Sequence, residues 1–281
     1  MMSNCCETNH QLTISIVTFF PDIAEFRQTL MSLKAAINYL SQQMEIVVQV
    51  TVVDNSVNQQ IADRISQLIQ SELMGISQLV TPSVNIGYGQ GHNLATRNGT
   101  GCWHLVMNAD IELDEDALSA ALTYLERPAN QTVGLISPHC EDGEGQRAYL
   151  CKRYPSVLDL ALRGFAPIAL RQLFQTRLAE YECRDYTEQQ SVEPIIIVSG
   201  CFMFFRGHAW NAVNGFAEHY FLYFEDFDLC IRLHQAWSIA YVPNVRIVHH
   251  GGNAARKGFK HILLFVRSAC CFFSTHGWRI I

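Results

Sequence analysis

Three apolar runs rich in β-branched residues limit what this chain can fold into: residues 12–20 (LTISIVTFF), 46–53 (IVVQVTVV) and 103–108 (WHLVMN). Each breaks off at a polar or helix-breaking corner, at Pro21, at Asp54-Asn55-Ser56 and at Asn108-Ala109-Asp110. Between them Phe26, Leu30, Leu33, Ile37 and Leu40 recur at helical spacing and predict a helix over 23–40, and Ile61, Ile65, Leu68 and Ile69 mark a second. A short strand at Leu79-Val80 is followed by the glycine-rich stretch 85–93 (NIGYGQGHN), read as a loop that enters a helix at Leu94-Ala95. Strands alternating with helices predict an α/β chain with a mainly parallel sheet flanked by helices. Ligands of such sheets collect at the carboxyl ends of the strands. Thr18-Phe19, Asp54-Asn55 and Asn108-Ala109-Asp110 therefore mark one candidate edge.

The second half is less regular. Residues 133–137 predict a strand, 141–145 a polar loop, and 152–184 a helix-rich segment whose six basic residues suggest a lid or a basic surface. Strand character returns over 195–205. A short helix over 210–216 closes on Gly215, a longer one covers 227–236, and a strand over 240–248 is broken by Pro243. A basic, aromatic helix from about Lys257 ends the chain, dividing it into a domain over 1–252 and an extension over 253–281.

Charge is unevenly spread. No acid follows Asp228, whereas seven Lys and Arg do, so the tail is strongly basic and the preceding chain strongly acidic. That asymmetry points to an anionic surface as partner; the long apolar run in the tail favours a membrane over nucleic acid. The alternative for the tail helix is packing against the core. The ten cysteines form no CxxC pair and the doublets Cys5-Cys6 and Cys270-Cys271 lack zinc spacing, which predicts reduced thiols in a cytoplasmic protein. The N-terminus has no basic region followed by an apolar core, so no signal peptide is expected.

The candidate residues have bland readings beside the chemical ones. Asp110, at a strand end before the acidic turn 112–116, suits a divalent cation, or it caps the next helix. Asp54 suits a ribose hydroxyl or a base NH, or it is a turn residue. Gly87, Gly89 and Gly91 miss the G-x-G-x-x-G spacing and do not follow the first strand, so a dinucleotide site is disfavoured. The run Glu225-Asp226-Phe227-Asp228 after 221–224 (FLYF) is unusual because desolvating carboxylates beside aromatic rings is costly. Glu225 or Asp226 is expected to face a cleft, with Asp228 paired to Arg232. His249-His250-Gly251-Gly252 follows a strand and offers a metal ligand or a solvent-facing pair.

Taken together, SIVTFF, VVDNS, NIGYGQGHN, LVMNADIEL, SGCFMFFRG, VNGF, FLYFEDFDLCIRL and IAYVPNVRIVHHGG occur in the order found in inverting family 2 glycosyltransferases of GT-A fold. Over roughly residues 13–252 the chain most closely resembles the bacterial rhamnosyltransferases that build O-antigen and related polysaccharides. The resemblance implies a nucleotide-sugar donor, dTDP-L-rhamnose in that branch. Donor contacts would come from Thr18, Phe19, Asp54, Asn85, Gly87, Asn93, Asn108 and Asp110. It implies Mg2+ or Mn2+ held by Asp110 and His249, with Asp226 as base beside Glu225, and Gly200 and Cys201 on the acceptor side. Ala109 stands where the branch commonly has Pro. The implied acceptor is a saccharide, or a polyprenyl-diphosphate-linked one at the inner face of the bacterial inner membrane. Two other readings compete: a sugar nucleotidyltransferase, which would need a glycine-rich basic loop after the first strand, and a non-catalytic glycan- or nucleotide-binding relative.

Overall fold

The computed structural model describes residues 11–186, 189–251 and 258–281. Cys5, Cys6, Gly252, Arg256 and Lys257, and with them the expected domain boundary, lie outside the described residues.

The first half runs β1 (Gln11–Thr18), α1 (Ile23–Gln43), β2 (Val47–Asp54), α2 (Gln59–Glu72), β3 (Ser77–Val80), α3 (Tyr88–Ala95) and β4 (Trp103–Asn108). Asp22 caps α1, its carboxylate accepting from the Ala24 and Glu25 amides at 2.8 and 3.1 Å, and Asn58 caps α2. The helical stripe read from sequence is buried: Phe26, Leu30 and Leu33 of α1 pack with Ile14, Ile16 and Val50 of the sheet. β3, β2, β1 and β4 pair in parallel in that spatial order. The chain then turns through β5 (Ile111–Leu113), α4 (Ala117–Glu126), β6 (Val133–Asp142), β7 (Arg147–Ala148) and β8 (Cys151–Lys152). Next come α5 (Val157–Phe165), α6 (Ile168–Leu173), α7 (Gln175–Tyr181), β9 (Ile197–Val198), β10 (Phe202–Arg206) and α8 (Gly207–Ala212). The last elements are α9 (Glu225–Leu233), β11 (Ser238–His249) and α10 (Phe259–His276).

Beyond β4 the sheet is mixed. β10 lies antiparallel between β4 and β6, β11 pairs parallel to β6, and β5 closes the edge antiparallel to β11. The parallel arrangement expected from the β–α alternation thus covers the first half, and the inserted β10 turns the remainder into a mixed sheet.

Several elements differ from their sequence expectation. The glycine-rich stretch is itself helix: α3 begins directly after Gly87, whose φ of +88° only glycine adopts easily, rather than at Leu94. Gly89 and Gly91 serve close packing. A Cβ at Gly91 would lie 2.7 Å from a Val17 methyl, and one at Gly89 2.7 Å from Phe216 Cβ. Gly91→Ala is expected to lower the unfolding free energy by about 1–3 kcal/mol through overpacking, read from a urea midpoint; an unchanged midpoint would mean that α3 lifts off β1 freely.

The helix expected over 210–216 lies earlier, in α8, and Gly215 follows it at φ +64°. α9 starts two residues before its expected position, after Tyr223 and Phe224 in left-handed conformations (φ +69° and +66°). Pro243 does not break β11. It falls where the β6–β11 register shifts, a place where the ladder tolerates a residue without an N–H. Of the six basic residues of 152–184, Arg163 and Arg184 pair with Glu182, Arg177 pairs with Asp159 at 2.6 Å, and Lys152 is buried against the Tyr149 carbonyl, whereas Arg153 and Arg171 stay exposed and donate to backbone carbonyls.

α10 divides along its length. Phe272 and Phe273 are buried, with the Phe272 ring 5.4 Å from that of Phe224, whereas Ile262, Leu263 and Val266 are exposed. Among the described residues no helix is long and apolar enough to cross a membrane.

Candidate active site

Because β1, β2 and β4 are parallel and in register, Thr18 lies beside Asp54, and Val17 beside Asn108. The three strand ends named from sequence therefore share one edge. Asp54 is buried. Its Oδ1 accepts from Thr18 Oγ1 (3.0 Å), the Ser56 amide (3.1 Å) and Ser56 Oγ (2.6 Å). Its Oδ2 is equally buried and has no hydrogen-bond partner among the described residues. A buried carboxylate oxygen left without a donor is uncommon and suits a donor brought by a ligand. Phe19 and Phe20 stand exposed at the end of β1, their rings 5.0 Å apart and edge-to-face.

The loop before α3 is fastened to this edge: Asn55 Nδ2 donates to the Gly87 carbonyl, and Asn85 Oδ1 accepts from the Gly87 amide, each at 2.9 Å. Asn93, expected among the donor contacts, has both ends of its amide on the Phe216 backbone, at 2.7 and 2.9 Å. It clamps α3 to the segment after α8, a positioning role.

At the end of β4 the chain turns through Asp110 into β5, and the antiparallel pairing of β5 with β11 sets His249 opposite Ile111. His249 Nε2 comes to 3.3 Å from Asp110 Oδ1, ion-pair reach without hydrogen-bond alignment, and to 3.5 Å from Asn108 Nδ2. Burial would push the imidazole down, but the adjoining Cys201 sulfur and Asp110 carboxylate more than offset this and hold it protonated, up to about 10. Burial would likewise push Asp110 up, and His249 and Asn108 hold it below the ordinary carboxylate range. His250 points elsewhere, to Glu112 at 2.7 Å. Of the two histidines, His249 is the one that faces Asp110. Gly251 leaves no room for a side chain there, since a Cβ would meet Asp110 Oδ2 at 1.8 Å.

The acidic run divides as expected for Asp228 and more sharply than expected for its neighbours. Asp228 is buried between Arg232 (2.7 Å) and His276 of α10 (2.8 Å). Glu225 is 5% exposed, and its Oε2 has no hydrogen-bond partner among the described residues. Burial and then the neighbouring Asp226 charge push Glu225 well above the carboxylate range. Asp226 is half-buried; its Oδ2 accepts from the Gly200 amide and its Oδ1 from the Phe227 amide, each at 2.9 Å. Burial raises it, hydrogen bonds from Gly200 and Phe227 restrain the rise, and it settles at about 6.

One residue that no sequence pattern singled out joins the two acidic clusters. The Tyr88 hydroxyl of α3 lies 2.8 Å from Asn108 Oδ1 and 2.6 Å from the Gly200 carbonyl. Asn108 and Cys201 are also tied directly, the Asn108 amide donating to the Cys201 carbonyl at 2.9 Å. A continuous chain of contacts thus runs from Asp110 through His249, Asn108, Tyr88 and Gly200 to Asp226. The only hint in the sequence was an aromatic residue set between glycines.

A cation at Asp110 and His249 would find two protein ligands once it displaces the proton that the imidazole otherwise holds. Among the described residues no cluster of three or more His, Cys, Asp and Glu side chains is placed to hold an ion. A carboxylate with a buried, unaligned oxygen and one imidazole suit an ion completed by substrate phosphate and water, the usual habit of Mg2+ beside nucleotides.

A family model described as glycosyltransferase-like family 2 matches residues 10–262. The chain belongs to that family. It is 26% identical over 216 residues to the N-acetylglucosaminyl-diphospho-decaprenol L-rhamnosyltransferase of Mycobacterium tuberculosis, covering 72% of this chain and 68% of the relative. It is also 26% identical over 183 residues to the rhamnosyltransferase WbbL of Escherichia coli, covering 62% and 64%. Among solved structures it resembles GalNAc-T7 with UDP, GalNAc and Mn2+ (TM-score 0.62, 12% identity, 89% of this chain and 44% of that one). It also resembles the mannosyltransferase PcManGT of Pyrobaculum calidifontis with GDP-Man and Mn2+ (TM-score 0.59, 16% identity, 94% and 65%). The fold of this family 2 chain is therefore GT-A, as its motifs implied.

Proposed function

We propose that this family 2 chain transfers a sugar, L-rhamnose from dTDP-L-rhamnose, to a saccharide or polyprenyl-diphosphate-linked acceptor, inverting the anomeric centre, in cell-surface polysaccharide synthesis of the O-antigen kind. The observation that carries this reading is the Tyr88 bridge, which holds the Asp110–His249 pair and the Asp226 carboxylate to one edge of the sheet. The sugar and the lipid carrier rest on the names of the two rhamnosyltransferase relatives.

Asp54 Oδ2 accepts from the nucleoside, with the exposed Phe19 ring beside the base. Asp110 and His249 would hold a Mg2+ or Mn2+ ion, which when bound neutralises charge on the departing diphosphate. Asp226 takes the proton from the acceptor hydroxyl as that oxygen attacks from the face opposite the nucleotide. Burial and the Asp226 charge disfavour a negative charge on Glu225 that would repel the diphosphate. Gly200 and Cys201 line the acceptor side. A base of this kind works only when ionised, so kcat/KM should fall tenfold per pH unit below about 6 and level off above it. A flat profile between pH 5 and 7 would remove Asp226 from the role.

The deciding test is calorimetric titration of dTDP-rhamnose, UDP-GlcNAc, UDP-galactose and GDP-mannose, each with Mn2+ and with EDTA. Metal-dependent binding of dTDP-rhamnose alone is the expected result. Preference for another donor would change the sugar, and binding of none would favour a non-catalytic relative.

A further inference from the structure

The exposed half of α10 has a counterpart far away in sequence. Phe165, at the end of α5, is half exposed and meets Phe265 of α10, ring to ring at 6.4 Å. The short helix α6 that follows buries none of its side chains: Ile168 is 74% and Leu173 75% exposed. On α10, Leu263 is 62% exposed, with Ile262 and Val266 beside it. The Phe165–Phe265 contact joins the end of α5, just before α6, to α10, so the apolar side chains do not stand as scattered singles. Contiguous exposed apolar area of this kind marks a contact surface.

Charge says what the surface meets. Arg171 of α6 and Lys260 and Arg267 of α10 are exposed. The only acid in either segment is Asp159, buried and paired with Arg177. A second copy of the chain would set these cations against their own kind. Exposed apolar side chains and cations on the same elements suit an anionic lipid surface, which takes up both.

We infer that α6, the Phe165 corner and the first half of α10 form one two-part docking surface for an anionic bilayer. The inference deepens the proposed function, because a polyprenyl-linked acceptor is met at a bilayer. It also gives α6 a role that the basic tail alone did not suggest. The same helix reaches the catalytic corner: Phe265 packs on Phe224, rings 5.2 Å apart, and Ser268 Oγ donates to the Leu222 carbonyl at 2.8 Å. Docking would therefore take place against the segment that presents Glu225 and Asp226.

Flotation of the full chain with phosphatidylglycerol–phosphatidylcholine vesicles, against phosphatidylcholine alone, tests this without donor or acceptor. Failure of docking and failure of transfer are thereby separate results. Partition should favour the anionic vesicles by about tenfold or more. Leu173→Glu and Leu263→Glu should each reduce it by about tenfold, with melting curves unchanged because both side chains are exposed. Equal partition to neutral vesicles, concentration-dependent self-association in place of vesicle binding, or a loss confined to Leu263→Glu would each overturn the two-part surface.

Discussion

Asp226→Asn should lower kcat by about a hundred- to ten-thousand-fold, the usual contribution of a positioned general base, while the dissociation constant for donor and Mn2+ stays within about twofold. The asymmetry follows from the geometry. The amide oxygen of asparagine can still accept from the Gly200 N–H, so the corner before α9 keeps its anchor. What is lost is the ionisable carboxylate and the bond that its Oδ1 accepts from the Phe227 amide at 2.9 Å, neither of which the donor needs. The residual activity should no longer fall below pH 6, because the group responsible for that limb has gone. Single-turnover rates and calorimetry on the same preparation separate the two effects. Equal loss of donor binding and rate would make Asp226 a structural residue.

Asp110→Ala should weaken Mn2+-dependent donor binding by about a hundredfold, at or beyond the upper end of what disturbing a metal shell costs, and abolish the difference between Mn2+ and EDTA. Asp110 supplies the carboxylate that His249 meets at this strand end, and a single imidazole holds Mg2+ or Mn2+ poorly. The substitution also removes a negative neighbour that keeps His249 protonated, so the imidazole should titrate at lower pH, visible by NMR. Donor binding that still needed Mn2+ to the same extent would place the ion elsewhere.

The strand ends were legible because they are written in neighbouring residues. A buried strand is a run of β-branched side chains, its end is the first polar residue, and the edge follows from the parallel order that β–α alternation imposes. Thr18, Asp54 and Asp110 were found in this way. Asp228 was found by its four-residue spacing to Arg232. The misread start of α3 and the misread break in β11 share a cause. Glycines in α3 and the proline in β11 carry their usual local meaning only when nothing packs against them, and here Val17, Phe216 and the β6–β11 register shift decide.

The roles within each cluster were not legible locally. Whether Glu225 or Asp226 ionises depends on Gly200, which arrives from the turn between β9 and β10, and on burial that exists only in the folded chain. Which histidine faces Asp110 depends on the register of β11 against β5, since a one-residue slip would exchange His249 and His250. Tyr88 and the α6–α10 surface depend on contacts between segments distant in sequence. The sequence by itself determined which residues stand at the ends of strands and helices, because side-chain size and polarity act over a few residues. Tertiary structure alone decided which of them meet, and with what protonation, because proximity and desolvation are properties of the assembled sheet.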